Sequence, residues 1–170
     1  MVASIPKSAR RVGRPIVDLA VRGWGQVLSR RGSLRPPVAV AATGRGGSTW
    51  LTEVLATVPG HPILWEPLHL GTNPSCRQYG FDWQTYVPVD AQAPRKREYF
   101  DALLSGAGLN VELVTSSHFS VREFLRCRAL LIKFVNANLL LPWLVRQYEL
   151  RTALLIRRAA PSGATISQSL

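Results

Sequence analysis

The chain is poor in cysteine, in acidic residues and in long apolar runs, and each shortage removes a class of function. Cys76 and Cys127 are the only cysteines in 170 residues. They lie far apart in no metal-ligand spacing, which argues against a zinc fold or a disulfide scaffold and leaves two reduced thiols as the expectation. The histidines do not restore a metal site. His61, Glu66 and His69 are not spaced H-E-x-x-H, and Pro62 and Pro67 forbid the helix that would align them. No metal is expected. No apolar run approaches the roughly 20 residues of a membrane span. Asp18 and Arg22 interrupt the N-terminal segment where a secretory signal needs an unbroken apolar core. A soluble protein of a reducing compartment, the cytoplasm, is therefore expected.

Ten acids stand against 21 Lys and Arg, a net charge of +11. The excess is uneven. Residues 1–37 hold eight of the basic residues and only Asp18 among the acids, so this segment carries +7. Ile16, Leu19, Ala20, Trp24, Val27 and Leu28 recur at helical spacing, which predicts an amphipathic helix from about Pro15, weakened by Gly23 and Gly25. Two readings follow. The segment is a basic arm for an anionic partner, or an extension whose helix packs on the domain. The partner expected through residues 1–36 is a weakly held anionic surface, with no specific nucleic acid. Pro36-Pro37 marks the boundary with a domain over 37–170, and 46% hydrophobic residues are enough to give it a packed core.

What is present centres on PVAVAATGRGGSTWLTEVLATVPGHPILWEPL, residues 37–68. Val38 to Ala42 is an apolar run suited to a buried strand. Thr43-Gly44-Arg45-Gly46-Gly47-Ser48-Thr49 is a glycine-rich turn, and Trp50, Leu51, Val54 and Leu55 give the following segment helical periodicity. A strand that turns through glycines into a helix presents unpaired N–H groups and the positive end of the helix dipole, which is an anion site. The turn is not a Walker A loop, because no Lys precedes the hydroxyl residue. That disfavours a nucleoside triphosphatase or nucleotide kinase, and leaves Arg45 as the charged side chain of a phosphate cradle. Glu66 ends a second strand predicted over 61–65, on the side where open α/β sheets bind ligands, and reads as a general base beside the anion site.

Further on, 70–94 reads as a loop whose Tyr79, Phe81, Trp83 and Tyr86 either line a cleft or pin the loop to the core. Helices are predicted over 95–107 and 119–127. Residues 129–135 read as a buried strand interrupted by Lys133, 136–149 as helical with a regular part near Pro142, and 152–156 as a strand ending in Arg157-Arg158. Alternating strands and helices predict an α/β fold: a three-layer, P-loop-type parallel sheet flanked by helices.

TGRGGSTWLTEVLATVPG followed by WEPLHL resembles the P-loop sulfotransferase family, and the E-P-L piece is similar to its carbohydrate branch. LLIKFVNANLLLPWLVRQYELRTALLIR is similar to the run that leads to that branch's 3′-phosphate motif, an Arg at a strand end followed about eight residues later by a Ser. The resemblance implies 3′-phosphoadenosine 5′-phosphosulfate as donor, a hydroxyl-bearing small molecule or carbohydrate as acceptor, and no metal. It implies that Arg45, Gly46, Gly47, Ser48, Thr49 and Trp50 hold the 5′-phosphosulfate and that Arg157 grips the 3′-phosphate. Ser167 is the serine assigned to that motif, although a count of eight falls on Thr165. The family's Pro directly after the Arg is replaced here by Arg158. Glu66 is the implied base, with His69 second, and Arg45 stabilises charge on the leaving group. The length implies an N-terminal part of such a domain, incomplete at its C-terminus. The alternative reading is an incomplete or inactive member that binds anions, or an acidic partner through residues 1–36.

Overall fold

The computed structural model describes residues 9–32, 34–42, 46–114, 121–135 and 137–155. Four short strands form one sheet in the order β2-β3-β1-β4: β1 Val38–Ala42, β2 Ile63–Trp65, β3 Leu131–Phe134 and β4 Arg151–Leu155. All pairings are parallel, with Val38 opposite both Leu131 and Arg151, and Ile63 opposite Leu131. The chain is thus an α/β fold with an all-parallel sheet flanked by helices. The inner strands are buried on both faces, as their continuous apolar runs require.

Each face has its own core. On one, α2 (Ser48–Leu55) lays Leu51 and Leu55 against Val40, Ile63 and Leu131. On the other, Ala39, Ala41, Leu64, Ile132 and Phe134 meet α1 (Ala9–Arg31), α3 (Pro94–Ser105), α4 (Val111–Val114) and α6 (Leu141–Gln147) in the larger cluster. α5 (Val121–Leu125) precedes β3. Phe100 is the hub of the larger cluster, with the rings of Phe81, Tyr99, Phe134, Trp143 and Tyr148 all within 6.4 Å between centroids.

Several boundaries differ from the sequence reading. α1 begins at Ala9 and runs through Pro15, and β2 is confined to three residues after Pro62. Of the helix predicted over 119–127, α5 covers Val121–Leu125, with 119 and 120 outside the described residues; of that predicted over 136–149, α6 covers Leu141–Gln147, with 136 outside the described residues. The 70–94 loop contains a 3₁₀ helix, Pro74–Tyr79, and α4 had no counterpart because four residues are too few to show a period. The loop aromatics divide. Tyr79 and Phe81 pack on Tyr99, whereas Trp83 and Tyr86 are 45% and 67% exposed. Both cysteines are free; burial raises the Cys76 thiol above its ordinary pKa and pushes Cys127 up to about 11.

α1 is anchored in the larger core by Val21 and Leu28, and the Trp24 indole donates to the carbonyl of Phe124 at 2.9 Å. Its two central glycines have different roles. A Cβ on Gly25 would fall 2.3 Å from the carbonyl oxygen of Gly106, so the helix reaches its seat only because that position is bare, whereas a Cβ on Gly23 would meet nothing within 4 Å. Gly23→Ala is therefore expected to stabilise the fold by about 0.5–1 kcal/mol, the ordinary helix gain. Gly25→Ala should destabilise it. Urea unfolding of the two variants checks this, and a stabilising Gly25→Ala would contradict the close approach.

Candidate functional site

The C-terminal ends of β1, β2 and β3 share one edge of the sheet, and the chain turns there twice. After β1 it enters α2 through Gly47, whose φ of 88° lies in the left-handed region that glycine tolerates. Among the described residues no side chain caps α2, whose first N–H groups have no acceptor within the helix itself. Ser48 is buried. Its carbonyl accepts from the Thr52 hydroxyl at 2.7 Å, and Thr52 itself is fully buried. Leu51 and Leu55 pack inward, as the periodicity required. The expected apolar face is otherwise turned: Trp50 and Val54 are 68% and 44% exposed. The backbone N–H of Trp50 lies in the first turn of α2, and its exposed side chain is left out of the core.

After β2 the chain turns at Glu66, the one non-glycine residue with positive φ (47°) among those described. A left-handed conformation on such a residue costs about 1–3 kcal/mol and needs surrounding structure to hold it. Lys133 provides that on one side. The backbone N–H of Glu66 donates to the Lys133 carbonyl at 3.0 Å, and the Lys133 ammonium donates to Glu66 Oε1 at 2.6 Å. On the other side, the carbonyl of Pro67 accepts from Asn73 Nδ2 and from the Tyr99 hydroxyl, both at 2.7 Å. Burial holds the Tyr99 phenol well above its ordinary pKa, so it stays a neutral donor.

Lys133 is the residue that the sequence reading passed over. Its side chain is 4% exposed and that of Glu66 is 16% exposed. The ammonium also sits 3.9 Å from the centre of the Trp65 ring, an arrangement that favours a cation. The sequence did carry a signal, because a lysine inside ALLIKFV on a strand covered on both faces must find an anion. Lys133 lies opposite Val40 and Trp65, so Glu66 stands about level with Ala41, two strand spacings or roughly 10 Å across the edge from β1.

His69 is held in the same turn. Its Nδ1 accepts from the Thr72 N–H at 3.2 Å and meets the Thr72 hydroxyl at 2.8 Å, while Trp83 packs edge-on at 5.2 Å. Because an amide only donates, Nδ1 accepts and the neutral ring carries its proton on Nε2. That leaves Glu66 the better placed proton acceptor. Of the other predicted site residues, 46–50 open α2 beside this edge, while Arg45, Arg157 and Ser167 lie outside the described residues. A cleft of about 210 Å³ between α1, the 3₁₀ helix, α3 and α4 shares Asn73 and Tyr99 with the support of the turn after β2, and is lined by neither Glu66 nor the start of α2. Comparison with known proteins finds no family model, curated protein or solved structure that matches this chain.

The geometry makes Lys133 and Glu66 one unit. Removing a single partner strands a buried charge, so Lys133→Met or Glu66→Leu alone should cost about 3–5 kcal/mol, and the double variant should recover most of that loss. A double-mutant cycle by chemical denaturation reads the coupling. Additive losses would show that the two side chains do not depend on each other.

Proposed function

We propose that this chain is a sulfotransferase-like protein that binds 3′-phosphoadenosine 5′-phosphosulfate and passes its sulfuryl group to a hydroxyl acceptor, a carbohydrate or similar molecule. One observation carries the reading: a carboxylate held at the C-terminal end of β2 by a buried ammonium, on the same sheet edge as the helix that opens at Gly47. The residues present fit an anionic donor. Gly46 and Gly47 offer backbone without side chains, and the N–H groups at the start of α2 suit the 5′-phosphosulfate. Arg45 falls in the same turn by sequence, and Arg157 and Ser167 are assigned to the 3′-phosphate by resemblance alone. The donor supplies an activated sulfuryl group and a phosphate leaving group.

The chain's own residues then divide the work. Lys133 holds Glu66 Oε1, so accepting the acceptor's hydroxyl proton falls to Oε2. The Asn73 and Tyr99 bonds to Pro67 keep that carboxylate from swinging with the turn. The α2 amides set positive charge where negative charge develops on the departing phosphate. The two free cysteines support a cytoplasmic setting. Among the described residues, no helix is long and apolar enough to cross a membrane.

Millimolar 3′-phosphoadenosine 5′-phosphate is expected to raise the melting temperature of the chain, and ATP to do so much less. Labelled sulfuryl transfer to a panel of sugars should fall about 100-fold or more in Glu66→Gln, with the nucleotide-induced shift retained. Equal stabilisation by ATP, or no stabilisation by either, would refute donor binding.

A further inference from the structure

α1 carries more apolar surface than the core uses. One stripe, Val21, Trp24 and Leu28, faces inward, with Val21 and Leu28 at 4% and 2% exposure. At 3.6 residues per turn, Ile16, Leu19, Gly23 and Val27 fall on a second stripe roughly a third of a turn away. Ile16 is 74% exposed, Leu19 73% and Val27 38%. With open space over Gly23, this stripe is a convex ridge rather than a groove.

The segment that carries the ridge is strongly basic by sequence. Residues 1–37 carry eight basic side chains against Asp18. That acid is already engaged: Arg22 Nε donates to it at 2.6 Å, and its other oxygen accepts from the Val111 N–H at 2.9 Å. Arg30 and Arg31 close the helix. By helical spacing Arg30 continues the second stripe, while Arg31 lies over the Trp24 ring, 5.1 Å from its centre.

We infer that α1 is a membrane-surface helix that seats its outer stripe on a bilayer rich in anionic headgroups. Ile16 and Leu19 enter the boundary between headgroups and acyl chains, and Arg30, at the end of the same stripe, meets the lipid phosphates. The charge selects this occupant. A second copy would bring the same +7 segment against the first and repel it, and a convex ridge suits a deformable surface better than the fitted pocket of an acidic protein. Such helices sink only about 5–10 Å, which lets the opposite face of α1 stay in the core. The inference does not depend on sulfuryl transfer.

Deleting α1 would remove Val21 and Leu28 from the core, so the test uses the full chain and exposed positions. In flotation with phosphatidylcholine vesicles holding about 30% phosphatidylglycerol, the chain should bind at low salt, release at high salt, and ignore pure phosphatidylcholine. Ile16→Ser/Leu19→Ser should bind about tenfold more weakly or worse, with an unchanged melting temperature. Arg30→Gln should weaken binding further. Failure to bind the anionic vesicles overturns the inference. So does undiminished binding by the serine variant, because the contact would then be made by charge alone.

Discussion

A lysine on a strand covered from both sides has no route to water, and the structure of the site follows from how Lys133 meets that constraint. Taking an ammonium out of water costs several kcal/mol unless it is paired with good geometry. Here the pairing is dense: a carboxylate at 2.6 Å, an aromatic face at 3.9 Å and a backbone bond between the same two residues. Glu66 can reach the ammonium only from the turn after β2, and that turn puts it in a left-handed conformation. The cost of this conformation is met by Lys133 on one side and by Asn73 and Tyr99 on the other. β2, β3 and the loop before α3 are thereby tied into one unit at the C-terminal edge of the sheet.

That edge is also where β1 hands the chain to α2. A parallel sheet puts both turns on one side without further instruction, because every strand ends there. The register sets how far across the edge they lie: β3 separates β1 from β2, so the start of α2 and a held carboxylate face a gap about two strand spacings wide. The proposed donor, an anion with a transferable group, would meet amides at one end and the carboxylate at the other. The remaining helices serve the opposite face of the sheet, where the Phe100 cluster and α1 stiffen the platform and Tyr99 reaches the turn after β2.

Much of this was legible from residues alone, for identifiable reasons. Val38 to Ala42 and ALLIKFV are apolar runs bounded by proline, glycine or polar residues, so the strands and the α/β class could be read directly. The glycine turn and its helix were legible because glycines between a strand and a periodic segment admit few other structures. What escaped is tertiary. Lys133 reads as a flaw in a strand until β2 is placed beside it, and no local pattern says that its partner is 67 residues away. The inward face of α2 was misjudged at Trp50 and Val54, because the packed positions include Ser48 and Thr52, whose polar groups are satisfied within the helix. Gly25 looked like a weakness in α1 and is instead the point where α1 meets Gly106.

The central claim is that the glycine turn and the Lys133–Glu66 pair form one anion-binding edge. Backbone ¹H–¹⁵N NMR during titration with 3′-phosphoadenosine 5′-phosphate tests it directly. The account predicts that the largest shifts fall on the amides of Gly46, Gly47, Ser48 and Thr49, with Glu66 and Lys133 moving in the same saturable isotherm. Shifts confined to other regions, such as the arginines of α1 or the cleft by Asn110, would contradict it.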